Sequence, residues 1–151
     1  LSRLPVFPLY YNGETKFMPI HCSDLTDTIH YVISKKIYSK IIECVGNETI
    51  SLKEILKKLL KLISKNRVLV PLPFFFANIS AKFFQLFPKP LLTVDQLKLL
   101  KYDNVSSKKY QTNFDIGSPS IRIFEKEVEK YCYMWRDGGK FSTKKYNSSK
   151  S

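Results

Sequence analysis

Glycine is scarce in this sequence, with five residues in 151. A loop that cradles phosphate needs several glycines close together, for its tight turn and for the approach of backbone to ligand. Neither G-x-G-x-x-G nor G-x-x-x-x-G-K-[ST] occurs, which excludes a dinucleotide fingerprint and a P-loop from these residues. Cysteine is also sparse. Cys22, Cys44 and Cys132 are an odd number at no C-x-x-C spacing, and they read as buried thiols in a reducing compartment, not as a disulfide framework. The two histidines, His21 and His30, make no H-x-x-x-H pair, and His21 beside Cys22 has no further ligand at helical or loop spacing. No metal site is expected. A G-x-S-x-G elbow and a known Cys/His nucleophile spacing are missing as well.

Arginine is the next shortage. The net charge is +12, yet only Arg3, Arg67, Arg122 and Arg136 among the 25 basic residues are arginine. Arginine reads bases and clamps phosphate with two parallel hydrogen bonds, so an excess carried by lysine is poor support for sequence-specific nucleic-acid recognition. No arginine cluster, RNA-binding motif or helix-turn-helix pattern is present, and no specific nucleic-acid partner is expected. A lysine-borne binder would instead show binding that weakens steeply with salt. What the chain does have is 44% hydrophobic and 14% aromatic residues, enough to fill a core and to exclude disorder or collagen.

Along the chain, Leu4 to Tyr11 reads as extended and is closed by the turn dipeptide Asn12-Gly13. Lys16 to Cys22 carries a partial strand alternation interrupted by Pro19. Ser23 can cap a helix with Asp24 and Asp27 in its first turn and an apolar face of Leu25, Ile29, Val32 and Ile33. Ile41 to Val45 reads as a buried strand ending at Gly46-Asn47. Ser51 and Glu54 form a capping box ahead of the stripe Leu52, Ile55, Leu56, Leu59, Leu60 and Ile63, with Lys53, Lys57, Lys58, Lys61 and Lys65 on the wet face. Such a lysine run is a solvated face or a surface for an anionic partner.

Val68 to Val70 is a brief strand ended by Pro71-Leu72-Pro73. Phe74 to Phe87 then reads as a helix with one narrow polar stripe of Asn78, Lys82 and Gln85. At ~1.5 Å per residue it is too short to span a bilayer. Its Phe74, Phe75, Phe76, Ile79, Phe83, Phe84 and Phe87 are either buried on most sides by their own domain or form a face pressed against a membrane or partner. Thr93 and Gln96 repeat the capping-box pattern before Leu97, Leu99 and Leu100, and Asp103-Asn104 breaks that helix. Gly117-Ser118-Pro119 leads into a last helix with Ile121, Phe124, Val128, Tyr131, Cys132 and Trp135, stopped by Gly138-Gly139. The lysine- and serine-rich tail 140–151 is expected to be disordered.

The order is strand, helix, strand, helix, strand and then helices only. Repeated β-α units imply an α/β class with a mostly parallel sheet. Only about three strands are visible and the chain begins at Leu1, so it reads as the back half of an α/β domain. Tyr31 and Lys35 match the Y-x-x-x-K spacing of dehydrogenases, in which a lysine lowers the pKa of a tyrosine acid. The pattern recurs at Tyr146 and Lys150, as chance allows in a chain with nine tyrosines, and we read it as a decoy.

The segment Lys16 to Ile29 resembles the element F-x-P-V-x-V-x-D-V-A-x-A-I of extended and atypical short-chain dehydrogenase/reductases. Val45 to Ile55 is similar to their G-G-P-E-x-x-S-x-x-E-I element, with Gly46 alone and Asn47 in place of proline. Val70 to Phe74, Leu92 to Leu100, Asp103 to Val105 and Gly138 to Phe141 resemble the branch that contains the NAD(P)-binding accessory (nine-alpha) subunit of respiratory complex I, NADH:ubiquinone oxidoreductase.

The resemblance covers roughly residues 1–141. It implies the C-terminal part of a Rossmann-like doubly wound NAD(P)-binding domain over 1–73, a helical cap over 74–139 and the tail 140–151. It also implies that the glycine loop and any catalytic Y-x-x-x-K lie in a half not contained here. No catalytic residue carries over, and Asp24, at the family's helix-start aspartate, is expected to cap its helix. The cofactor implied for the whole protein is NAD(P), bound weakly or not at all by these residues alone. The implied partners are complex I subunits or the membrane surface, at the cytoplasmic or mitochondrial matrix face of the inner membrane and without a transmembrane helix. The rival expectation is an NAD(P)-dependent reductase or epimerase acting on a quinone-pathway or sugar-nucleotide substrate.

Overall fold

A computed structural model describes residues 6–72, 94–136 and 139–140. The chain runs through β1 (Val6–Tyr10), a 3-10 turn at Tyr11–Gly13, β2 (Lys16–Phe17), α1 (Cys22–Ser34), β3 (Ile42–Glu43), β4 (Ile50–Ser51), α2 (Leu52–Leu62) and β5 (Val68–Leu72). It continues with α3 (Val94–Leu99), β6 (Gln111–Thr112), α4 (Phe124–Cys132) and a 3-10 turn at Tyr133–Trp135. The described residues form a mixed α/β fold. The helix expected over Phe74 to Phe87, the Thr93 cap and the tail beyond Lys140 lie outside them.

Among the described residues the strands pair in three separate two-stranded sheets, not in the one mostly parallel sheet expected. β1 with β5 and β3 with β6 are parallel, whereas β2 with β4 is antiparallel. The β1–β5 pair joins Val6 to Val68 and Tyr10 to Leu72, so β5 continues through Pro71 where we expected it to stop. Each strand of this pair carries a proline, Pro8 and Pro71. Proline cannot donate to a ladder and belongs at sheet edges, which suits a pair that goes no further among the described residues. β6, at Gln111 and Thr112, has no sequence signature of its own.

α2 forms as its capping box predicts. The Ser51 hydroxyl accepts from the Glu54 amide at 3.3 Å, and the Glu54 carboxylate accepts from the Ser51 amide at 2.7 Å. Its end is a Schellman turn, in which the Lys65 amide donates to Leu60 O at 3.0 Å and the Ser64 amide to Lys61 O at 3.1 Å. Ser64 takes the left-handed position there, with φ of 53°. α2 packs on α4 through Leu60, Leu62, Ile63 and Cys132, with Leu59, Leu69 and Val128 against them. Two polar clamps fix the pair. Glu48 accepts from the Phe124 amide at 2.9 Å, and Arg136 Nε donates to Leu62 O at 2.6 Å. Ile121, expected on the last helix, precedes it and is exposed.

α1 is present over the expected residues, but it is turned the other way. Leu25, Ile29 and Ile33 are 36%, 51% and 65% exposed, while Asp24 and Thr28 are buried. The cap is His21 and not Ser23, for His21 Nδ1 accepts from the Ser23 amide at 3.2 Å. The physical reason for the turn is a set of polar partners beside β3 and β6 that take up the Asp24–Thr28 side.

Candidate functional site

The polar centre is Asn113, whose side chain has no solvent exposure. Its Oδ1 accepts from the Val45 amide at 2.9 Å, and its Nδ2 donates to Ser118 O at 3.2 Å and to Ser120 Oγ at 3.0 Å. Ser120 Oγ donates onward to Val45 O at 2.8 Å. From Ser118 the chain of bonds crosses to α1, where Ser118 Oγ reaches Thr28 Oγ1 at 3.2 Å and Thr28 Oγ1 donates to Asp24 O at 2.9 Å. The Asp24 carboxylate then takes the Arg122 amide at 3.1 Å and the Arg122 guanidinium, which also meets Asp27 at 3.2 Å. Asp24 therefore anchors a loop that lies far along the chain, where we expected a helix cap. The two carboxylates push the Arg122 guanidinium further up from its already high pKa, Asp24 contributing most.

Beside this network lies a cavity of about 270 Å³, lined on one side by Pro19 to Cys22 and on the other by Arg122 to Phe124, Glu127, Val128 and Tyr131. His21 Nε2 stands 3.8 Å from Glu127, whose carboxyl is held below the usual range by the Lys130 ammonium at 2.6 Å, with further help from the charges of His21 and Arg122. Cys22 Sγ is exposed and 4.0 Å from each His21 ring nitrogen, too far and too symmetric for the close in-line pair of an activated nucleophile. Nδ1 is already taken by the Ser23 amide. The charged groups here satisfy one another, and the walls are largely apolar. Chemically the cavity suits a small apolar group better than an acid–base step.

The sequence pair Tyr31 and Lys35 is not arranged for proton transfer. The Lys35 ammonium lies over the face of the Tyr31 ring, 5.9 Å from its centre, and a Cβ on Gly117 would stand 3.1 Å from the Tyr31 hydroxyl. The three thiols differ: Cys132 is buried, Cys44 is half-buried and Cys22 is exposed, so the expectation of buried thiols fails for Cys22. Burial pushes the Cys44 and Cys132 thiols up. Among the described residues no group of three His, Cys, Asp or Glu is placed to hold a metal ion. None of their helices is long and apolar enough to cross a membrane. Phe74, Phe75, Phe76, Ile79, Phe83, Phe84 and Phe87, expected as a membrane or partner face, lie outside the described residues.

The segments around Met18, Gly46 and Asn104 meet in space. Met18 O accepts from the Gly46 amide at 3.2 Å, the Met18 amide donates to Asn104 O at 3.1 Å, and Phe17 pairs with Ile50 on β4 and bridges to Asn104. Gly46 is irreplaceable here, since a Cβ would stand 1.9 Å from Pro19 O. Reading the sequence alone missed Arg122, Asn113, Ser118 and Ser120. The signal that was there is Asp24, Asp27 and Thr28, a polar stripe at helical spacing opposite the apolar one. Compared with known proteins, the chain matches no family model and has no significant match among curated proteins.

Proposed function

We propose that this chain is the C-terminal part of a Rossmann-like NAD(P)-binding protein of the short-chain dehydrogenase/reductase type, non-catalytic and accessory to membrane respiratory complex I. The observation that carries the reading is the orientation of α1. Its polar side is tied to the Asn113–Arg122 network, and its apolar stripe Leu25, Ile29 and Ile33 faces outward. Nearby in the chain, Ile41 is 61% exposed ahead of β3, which pairs with β6 on one edge only among the described residues. A helix with a bare apolar stripe and a parallel strand with a bare edge are the parts a doubly wound domain covers with more sheet. The convergence of the Met18, Gly46 and Asn104 segments supports the same reading, for these are the stretches that resemble the family.

The non-catalytic part rests on Tyr31 and Lys35, which are not disposed as an acid and its activator, and on the mutually satisfied charges around His21 and Glu127. The aromatic residues Phe74 to Phe87 and the lysine-rich tail are the proposed contacts with complex I or the inner membrane. The test is native electrophoresis of solubilised membranes from cells carrying the tagged full-length protein. Co-migration with the NADH-dehydrogenase-active band is expected. A free species that oxidises NADPH with a quinone or sugar-nucleotide substrate would make it a reductase or epimerase instead.

A further inference from the structure

The backbone leading into α1 and the first turns of α4 meet around the His21 cavity, and the contact between Asp24 and Arg122 holds its two walls in place. Pro19 and Ile20 form one side, and Ile123, Phe124, Val128 and Tyr131 the other. A polar pair interrupts this lining. His21 Nε2 stands 3.8 Å from Glu127 Oε2, and the two side chains are only 18% and 16% exposed.

The position of the His21 hydrogen follows from the helix cap. Nδ1 accepts from the Ser23 amide at 3.2 Å, and an accepting ring nitrogen carries no hydrogen. The hydrogen of the ring is therefore on Nε2, the nitrogen toward Glu127. At 3.8 Å the two are too far apart to hydrogen-bond each other. Glu127 is kept ionised, and so an acceptor, by the exposed Lys130 ammonium at 2.6 Å. A donor and an acceptor thus stand side by side in an otherwise largely apolar cavity. One hydroxyl group can serve both, accepting from Nε2 and donating to the carboxylate.

Charge and size narrow the occupant. The Glu127 carboxylate disfavours an anion, and the Arg122 guanidinium in the same lining disfavours a cation. That guanidinium is engaged by Asp24 and Asp27, so it is not free to clamp a ligand carboxylate with paired hydrogen bonds. A neutral molecule fits best. The cavity measures about 270 Å³, and one of about 150 Å³ already holds a benzene ring, so a single substituted ring can be accommodated. Phe124 and Tyr131 supply aromatic partners for it.

We propose that this cavity is a binding site for a small neutral phenol, with its ring between the two apolar walls and its hydroxyl bridging His21 Nε2 and Glu127. The site is independent of the nucleotide reading, since all its groups come from the start of α1, the start of α4 and the residues just before them.

The experiment is a fluorine magnetic-resonance titration of the intact protein, without NADPH, using para-fluorophenol, fluorobenzene and para-fluorobenzoate. Saturable binding of para-fluorophenol with a Kd of about 1 mM or tighter is expected. Fluorobenzene, which has the ring without the hydroxyl, should bind about tenfold more weakly, and para-fluorobenzoate no better than fluorobenzene. Glu127→Met keeps the stem and removes the acceptor. It should bring para-fluorophenol down to the level of fluorobenzene while changing fluorobenzene no more than about twofold. Ile123→Trp, at a wall position that is 39% exposed, should abolish binding of both. Matched thermal melts certify the fold of each variant. Equal binding of para-fluorophenol and fluorobenzene by the parent protein would overturn the proposal without reference to any variant. So would no binding of either, a preference for para-fluorobenzoate, para-fluorophenol binding unchanged in Glu127→Met, or binding that survives Ile123→Trp.

Discussion

The carboxylate of Asp24 is held by both the backbone amide and the guanidinium of Arg122, 98 positions further along the chain. Asp24 is 3% exposed, and its partner is the closure that fastens α1 to the loop before α4. Removing the guanidinium leaves the buried carboxylate with the Arg122 amide but without its counter-charge, so Arg122→Met should destabilise the protein. Asp24→Leu combined with Arg122→Met should recover most of that loss. Urea unfolding of the two variants and the parent checks this, and equal damage from the single and double variants would mean that the pair is not the closure.

Gly46 sits where no side chain fits. Its Cβ would meet the Pro19 carbonyl, which is backbone and cannot swing away, so Gly46→Ala must displace one chain from the other. We expect a loss of ~1–3 kcal/mol, as for overpacking. Gly139→Ala is a poor control because it too would meet backbone carbonyls, at 2.6 Å, whereas Asn47→Ala, exposed and next in sequence, should be near neutral. Thermal melts of both variants decide.

Acid should unfold the protein through a small set of carboxylates. The Ser107 and then the Ser106 hydroxyl lower the Glu43 carboxyl, Ser51 lowers Glu54, Thr112 lowers Asp115 and Lys130 lowers Glu127. Each folded pKa is depressed, so the stability these groups contribute is fully present above their ordinary values, 4.5 for Glu and 3.8 for Asp, and is lost as pH falls through the folded values. The melting temperature should be level above about pH 5 and decline below it. Glu43→Gln, which releases the Ser106–Ser107 turn from its charge, should flatten part of that decline. A melting temperature that rises on acidification would contradict the assignment.

The part of the fold legible in the sequence is the part built from neighbours. α2 is written in a capping box and a 3.6-residue apolar stripe, and both are local. α1 was legible as a helix but not in its orientation, because its apolar periodicity names a face without saying what covers it. The side it buries is chosen by Ser118 and Arg122, which are 90 to 98 positions from their α1 partners, and by Asn113, which reaches α1 only through Ser118. β3 and β6 pair over two residues each, too short for any alternation to show. The His21–Glu127 cavity was illegible for the same reason, since its two walls meet only after the Asp24–Arg122 closure.

The outward stripe of α1 makes a differential prediction. In residues 1–151 alone, Ile29→Gln and Ile33→Gln should each change stability by less than about 0.5 kcal/mol, as exposed substitutions do. The proposed reading requires that in a longer protein further sheet cover this stripe, and there the same changes should each cost about 2 kcal/mol or more. Equal effects in both backgrounds would mean that nothing further covers α1.

The most direct test of the proposed nucleotide-binding domain is calorimetric titration of NADPH into the full-length protein and into residues 1–151 side by side. Saturable binding by the full-length protein and none by residues 1–151 is the expected result, because the described residues hold no glycine-rich phosphate loop. Micromolar binding by residues 1–151, or no binding by the full-length protein, would contradict it.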